Sequence, residues 1–120
     1  MKYAILIYET PADFAARTDP ERSGPYWAGW MAYSEAIGGV TTGGAPLQPA
    51  DTATTVRMQD SRRLVQDGPY ADTREQLAGF FLIDVPDLDA ALEWAARCPA
   101  SATGAVEVRP VLPMATPAPA

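Results

Sequence analysis

Two stretches decide the fold, Lys2–Glu9 (KYAILIYE) and Gly79–Val85 (GFFLIDV). In the first, Tyr3, Ile5 and Ile7 fall on one alternation and Ala4, Leu6 and Tyr8 on the other. Side chains alternate between the two faces of a strand, so a strand apolar on both alternations is buried on both faces. The second stretch reads the same way. Both strands are expected to be buried on both faces.

The segments around them supply the rest of the topology. Thr10–Arg22 carries two prolines and many short polar residues, which predicts a loop or an irregular helical turn. Ser23 or Gly24 can cap a following helix, with Pro25 in its first turn, where no N–H donor is needed. Trp27, Trp30, Met31, Ser34 and Ile37 recur at three- and four-residue spacing and predict its buried stripe. Gly38-Gly39 is expected to end it in the left-handed conformation. Val40–Gly44 reads as a short strand and Pro46–Asp51 as a turn region. Thr52–Met58 and Arg63–Asp67 read as a hairpin joined through Gln59–Arg62. Asp-Ser is a poorer two-residue turn than Asp-Gly, because Ser resists positive φ, so a longer loop competes there.

Asp67–Leu77 (DGPYADTREQL) is polar and opens on Gly-Pro. Beyond the second interior strand, Asp87 is a good N-cap, Asp89 and Arg97 complement the helix dipole, and Pro99 stops the helix. Leu88, Ala91, Leu92 and Ala95 form its expected core stripe. Gly104–Val111 is the last strand. The domain is taken as residues 1–112, and the Pro/Ala-rich tail 113–120 is expected to be disordered.

The order is β-α-β, an inserted ββ hairpin, then β-α-β. Without the hairpin it is the split βαβ arrangement of an α+β, ferredoxin-like fold, with two helices on one face of an antiparallel sheet. Two helices cover one face only, yet the interior strands are apolar on both. The second face therefore needs a partner, and a second copy of the chain, giving a homodimer, is the simplest. A charged residue at Ile5 or Phe81 is expected to dissociate or unfold that dimer.

Bulk properties exclude several functions. The chain has 120 residues, 48% of them hydrophobic, as one globular domain should. Its net charge is −6 and its nine basic residues are scattered, which argues against direct nucleic-acid binding. There is no histidine and one cysteine, Cys98, so a disulfide within the chain and a Cys/His metal site are excluded. No metal or other cofactor is expected. Cys98 reads as a buried small hydrophobe, with no histidine to activate it. Gly43-Gly44 lacks the lysine and spaced glycines of a phosphate loop and reads as close strand packing. The apolar run near the N-terminus is too short for a signal-peptide core or a membrane span, so a cytoplasmic location is expected.

The segment DGPYADTREQLAGFFLIDV (67–85), followed by DLDAALEWAARCP (87–99), resembles the DGPF subgroup of the YCII-related domain family. The resemblance extends to KYAILIY (2–8), GGAPLQPADTATTVR (43–57) and GAVEVRPV (104–111), with Tyr70 in place of the usual Phe. It implies a ferredoxin-like protomer that pairs into a dimeric α+β barrel. Some relatives are thought to act through a His–Asp pair, and one is a dehydrochlorinase for chlorinated hydroxyquinones. The absence of histidine prevents that pair from being carried over. Genes of DGPF proteins also often neighbour those of extracytoplasmic-function sigma factors.

Two groups of residues could carry chemistry. Asp67, Asp72 and Glu75 are candidate catalytic carboxylates, with Tyr70 and Arg74 as ligand contacts, since a carboxylate cluster beside an arginine can do acid–base work. The competing role is structural: Asp67 and Asp72 bond turn amides while Arg74 and Glu75 bridge to a second subunit. The other group is aromatic. Trp27 and Trp30 are assigned to core packing, and Tyr26 and Tyr33, on the flank of the stripe, to contact with a planar ligand. The main functional expectation is a homodimer that binds a small molecule or protein partner as an accessory or regulatory module, in a sigma-factor-linked setting. The alternative is an enzyme that transfers a proton, or eliminates a group, on a small cyclic substrate with carboxylate and Tyr groups. A purely structural interaction protein is the third.

Overall fold

Strand β1 occupies Lys2–Glu9, with the bounds its sequence implies. The structure, a computed structural model, describes residues 1–114, so most of the expected tail lies outside the described residues. Along β1, Tyr3, Ile5, Ile7 and Glu9 are buried while Ala4, Leu6 and Tyr8 are half-buried. That alternation is the signature of a sheet covered on one face.

The covering elements follow in order. Pro11–Ala16 is a short helix, α1, whose N-cap Thr10 accepts from the Asp13 N–H. Ser23–Ile37 is α2, Thr41–Pro46 is β2, Thr54–Gln59 is β3, Arg62–Asp67 is β4 and Gln76–Asp84 is β5. Leu88–Arg97 is α3, Ala100–Thr103 is α4 and Ala105–Pro110 is β6. A single 3₁₀ turn at Ala50–Thr52 leads into β3. Four strands form one antiparallel sheet in the order β2-β5-β1-β6, and β3 pairs only with β4 in a separate ribbon. This is the expected α+β ferredoxin-like arrangement, with the hairpin standing outside the main sheet.

In an antiparallel sheet, residues directly opposite share a face. Ile5 faces Phe81 and Val108, and Tyr3 faces Ile83, on the side where the helices pack. Their core includes Tyr33 and Ile37 of α2 and Ala91 of α3, with Val85, Cys98 and Ala100 beside them. Leu6 faces Phe80, and Ala4 faces Leu82, on the open side. Ile5 and Phe81, the positions expected to report on a dimer, thus face the helices.

Several local expectations are corrected. Helix α2 has Arg22 at its N-cap with no side-chain bond, so neither Ser23 nor Gly24 caps it. It buries Tyr33 and Ile37, with Tyr26 and Trp30 half-buried, whereas Trp27, Met31 and Ser34 of the expected stripe are exposed. The helix is apolar on all sides, so amphipathicity does not fix its rotation; tyrosines with satisfied hydroxyls take the inner side. Gly38 ends α2 in the right-handed region, its N–H bonded to the Glu35 carbonyl, so no left-handed cap forms. On α3, Ala91 and Ala95 are buried while Leu88 and Leu92 are exposed. The Asp87 cap forms as expected, its Oδ1 accepting from the Ala90 N–H at 2.9 Å. The hairpin uses the two-residue turn after all: Asp60 and Ser61 adopt φ of 50° and 63°.

Candidate active site

The inner face of β1 ends in a charge. Glu9 follows Tyr3, Ile5 and Ile7 on the buried alternation, and only 2% of its surface is exposed. A carboxylate taken out of water needs both an opposite charge and hydrogen bonds. The segment from α1 to α2 supplies both. Arg17, which caps α1, donates from Nη2 to Glu9 Oε1 at 2.9 Å. Tyr26, in the first turns of α2, donates its hydroxyl to the same carboxylate, 2.8 Å from Oε1 and 2.7 Å from Oε2. Arg17 Nε closes the triangle by donating to the Tyr26 oxygen at 3.1 Å.

Arg17 is also a structural clamp. Its remaining hydrogen bonds go to the backbone carbonyls of Leu47, just beyond β2, and Ala78 of β5. Its guanidinium lies over the Phe14 ring at 4.7 Å, and Trp27 Nε1 donates to its backbone carbonyl. Four of the five guanidinium N–H groups are thus engaged within the protein. Burial works against the charge on Arg17, but its hydrogen bonds to Glu9 and Tyr26 outweigh that effect and its pKa is raised. Burial, reinforced by the neighbouring Glu9, pushes the Tyr26 hydroxyl up to about 12. Tyr26 therefore stays protonated, a donor rather than a phenolate.

The triangle stands in the wall of a cavity of about 640 Å³ between α2 and the sheet. Trp27, Trp30 and Phe81 supply aromatic surface, and Gly44–Pro46 with Ala78 and Gly79 form the side nearest β2 and β5. The size suits a small organic ligand, and so does the chemistry: apolar walls with a few convergent polar groups. Gly79 lets β2 lie close against β5, since a Cβ there would lie 2.8 Å from the Ala45 carbonyl oxygen. Trp27 and Trp30, assigned from sequence to the core, face this cavity.

The residues singled out from sequence are dispersed. Tyr26 is in the cavity wall. Tyr33, expected on the flank, is in the core, its hydroxyl donating to the Trp94 carbonyl at 2.7 Å, and burial raises its pKa. Asp67, Asp72 and Arg74 are exposed and Glu75 is half-buried, and none of the three carboxylates forms a side-chain hydrogen bond or ion pair among the described residues. Tyr70 lies in the wall of a second, open groove of about 750 Å³, with the Arg57 guanidinium 4.9 Å from its ring centre. Cys98 is buried, and burial pushes its thiol up to about 11. Among the described residues no group of three or more His, Cys, Asp or Glu is placed to hold a metal ion, and no helix is long and apolar enough to cross a membrane.

Glu9 and Arg17 were not anticipated from sequence. The signal for Glu9 was present: it extends the Tyr3, Ile5, Ile7 alternation by one step. Arg17 gave none, since nothing local marks which cation of an irregular segment folds inward.

Fold and cavity together define an α+β ferredoxin-like domain with a buried Glu–Arg–Tyr cluster facing a small-molecule cavity. The chain belongs to the YCII-related domain family, which matches residues 1–115. It is similar to an uncharacterised protein of Rhizobium meliloti (strain 1021), 45% identical over 69 residues, and the match spans 56% of each chain. Its fold is similar to that of 5-chloro-2-hydroxyhydroquinone dehydrochlorinase from Burkholderia phenoliruptrix AC1100 in complex with 2,5-dihydroxybenzoquinone. That similarity has a TM-score of 0.55 and 16% identity, covering 93% of this chain and 94% of the other.

Proposed function

We propose that the protein is an enzyme that transfers a proton, or eliminates a group, on a small planar cyclic substrate held between α2 and the sheet. The observation that carries this reading is a buried carboxylate, Glu9, held by Tyr26 and Arg17 in the wall of an aromatic cavity. Glu9 Oε2 accepts only from Tyr26 and keeps lone-pair capacity for a substrate proton. Glu9 takes a proton from a substrate C–H or O–H, and the electron pair left behind becomes an oxyanion or a new double bond. In an elimination the leaving group departs with its own pair, and Glu9 returns its proton to water. The protonated Tyr26 hydroxyl turns from Glu9 toward the developing negative charge. The fold neighbour, a dehydrochlorinase bound to a planar quinone, supports this class of chemistry. We further propose that the subunits pair through the open sheet face of Leu6 and Leu82.

The test is proton–deuterium exchange, followed by NMR, on a panel of hydroxylated cyclic compounds. Glu9→Gln should lower the exchange or turnover rate by about 10²–10⁴-fold and Tyr26→Phe by a smaller factor. Full activity in Glu9→Gln would remove the proposal.

A second reading is favoured by the groove that includes Tyr70. In it Asp67, Asp72 and Glu75, in and beside the loop that carries Tyr70, move the proton while Tyr70 and Arg74 bind the ligand; Tyr26, in the wall of the other cavity, and Tyr33, in the core, take no part. It makes the opposite forecast, loss in Asp72→Asn and Glu75→Gln with Glu9→Gln unaffected.

A further inference from the structure

The β3–β4 hairpin stands outside the main sheet of its own protomer, tied to it through the Thr55 bond to the Gly68 carbonyl and the Arg57 guanidinium over the Tyr70 ring. It pairs only with itself, and all of its strand residues are exposed except the half-buried Thr55. An isolated two-stranded ribbon is marginal in water and needs something to pack against. The ribbon is also two-sided. Val56 and Val65 face each other across it, with Met58 two residues on, opposite Arg63, and these three apolar side chains are 56%, 56% and 67% exposed, with Thr54 and Asp67 at the base of the same face. The opposite face carries Thr55, Gln66, Arg57, Leu64, Gln59 and Arg62. Three apolar side chains together on one exposed face mark a contact surface.

The whole shape agrees. The radius of gyration is 16.7 Å with extents of 47 × 40 × 25 Å, whereas a compact chain of this length has about 13–14 Å.

Three features identify what it meets. The arm's apolar face and the open face of the sheet look into one groove: Val56 and Thr54 line one side, Tyr8 and Leu77 the other, with Tyr70 nearby. A molecule that presents both an exposed apolar ribbon and a groove at its base is complementary to itself under a two-fold axis. Charge points the same way. Arg57, Arg62 and Arg63 against Asp60 and Asp67 give the hairpin a net charge of +1, while the rest of the chain carries −7. A basic arm on an acidic body finds its complement on a second acidic body.

We infer that the β3–β4 hairpin is an arm exchanged between two copies of this chain, its Val56, Met58 and Val65 face packing on the second copy, at the groove and open sheet face. This rests on the subunit pairing proposed above and adds the arm to it. The groove beside Tyr70 is then completed by the second copy.

Light scattering on the full chain at tens of micromolar tests the arm. Wild type should have twice the 12.8 kDa chain mass. The double variant Val56→Asp/Val65→Asp alters only positions that are exposed within the protomer, and its far-UV circular dichroism should match wild type. Its dimer dissociation constant should rise at least tenfold. A monomeric wild type overturns the inference. So does an arm variant that pairs as tightly as wild type while Leu82→Asp dissociates, which would leave sheet-face pairing standing without the arm. Hydrogen exchange on the unmodified protein gives a second readout, with no variant to fold. Protection of amides 56–58 and 64–66 should fall on dilution, and protection independent of concentration overturns the inference.

Discussion

Glu9, Arg17 and Tyr26 form a closed hydrogen-bonded triangle, and its members are interdependent. Removing one partner of a buried ion pair leaves the other charge desolvated, which costs about 3–5 kcal/mol. Arg17→Ala should therefore destabilise the fold by roughly that amount in urea titration, more than a surface arginine such as Arg62. Arg17→Lys should recover little, since one ammonium cannot span Glu9, Tyr26, Leu47 and Ala78. Tyr26 also makes stability depend on pH. Its pKa is raised by folding from 10.0 to about 12, so the folded state favours the protonated form. The associated stability is complete below about pH 10, where the unfolded tyrosine is protonated, and is lost as pH rises toward 12. Tyr33 and Cys98, also raised, act in the same direction. Urea midpoints between pH 9 and pH 11.5 should fall, and Tyr26→Phe should flatten part of that fall. Of these residues, Tyr26 was singled out from sequence as a polar-tipped aromatic on the flank of the helix stripe, and it lines the cavity. Glu9 was legible only as a polar residue on an apolar alternation.

At the scale of elements, the Asp87 cap of α3 was read correctly, whereas the Thr10 cap of α1 was not anticipated and neither Ser23 nor Gly24 caps α2. Asp87→Ala removes the bond to the Ala90 N–H and should cost about 0.5–2 kcal/mol, read as a lowered urea midpoint. Strand β5 starts three residues before its apolar run, at Gln76, and β2 runs on to Pro46, whereas the bounds of β1 followed from period-2 patterning, because burial on alternate residues leaves little freedom. Helix rotation did not. Helix α2 carries Tyr, Trp, Ala and Met on every side, and its orientation was settled by two hydroxyls, Tyr26 to Glu9 and Tyr33 to the Trp94 carbonyl. Those bonds are made to distant elements, so no window of local sequence contains them. The same holds for α3, where Ala91, Ala95 and Cys98 pack inward and Leu88 and Leu92 face out: small residues let the helix approach the sheet closely.

For the whole molecule, one-sided coverage of the sheet separates two kinds of position that sequence treats alike. Ile5 is wholly buried against the helices, so Ile5→Asp should unfold the protomer. Leu82 is 36% exposed on the open face, so Leu82→Asp should leave the protomer folded and weaken pairing. Circular dichroism and light scattering on the two variants distinguish these outcomes, and a dimer unaffected by Leu82→Asp would place the interface elsewhere. The two apolar alternations of Lys2–Glu9 determined a strand apolar on both faces, and the order of elements determined a ferredoxin-like topology. Both are local properties of pattern. Which alternation meets the helices, which cation and hydroxyl reach Glu9, and that the hairpin stands apart from the main sheet were decided only by tertiary structure. Each depends on contacts between segments far apart in the chain, where geometry rather than residue type selects the partner.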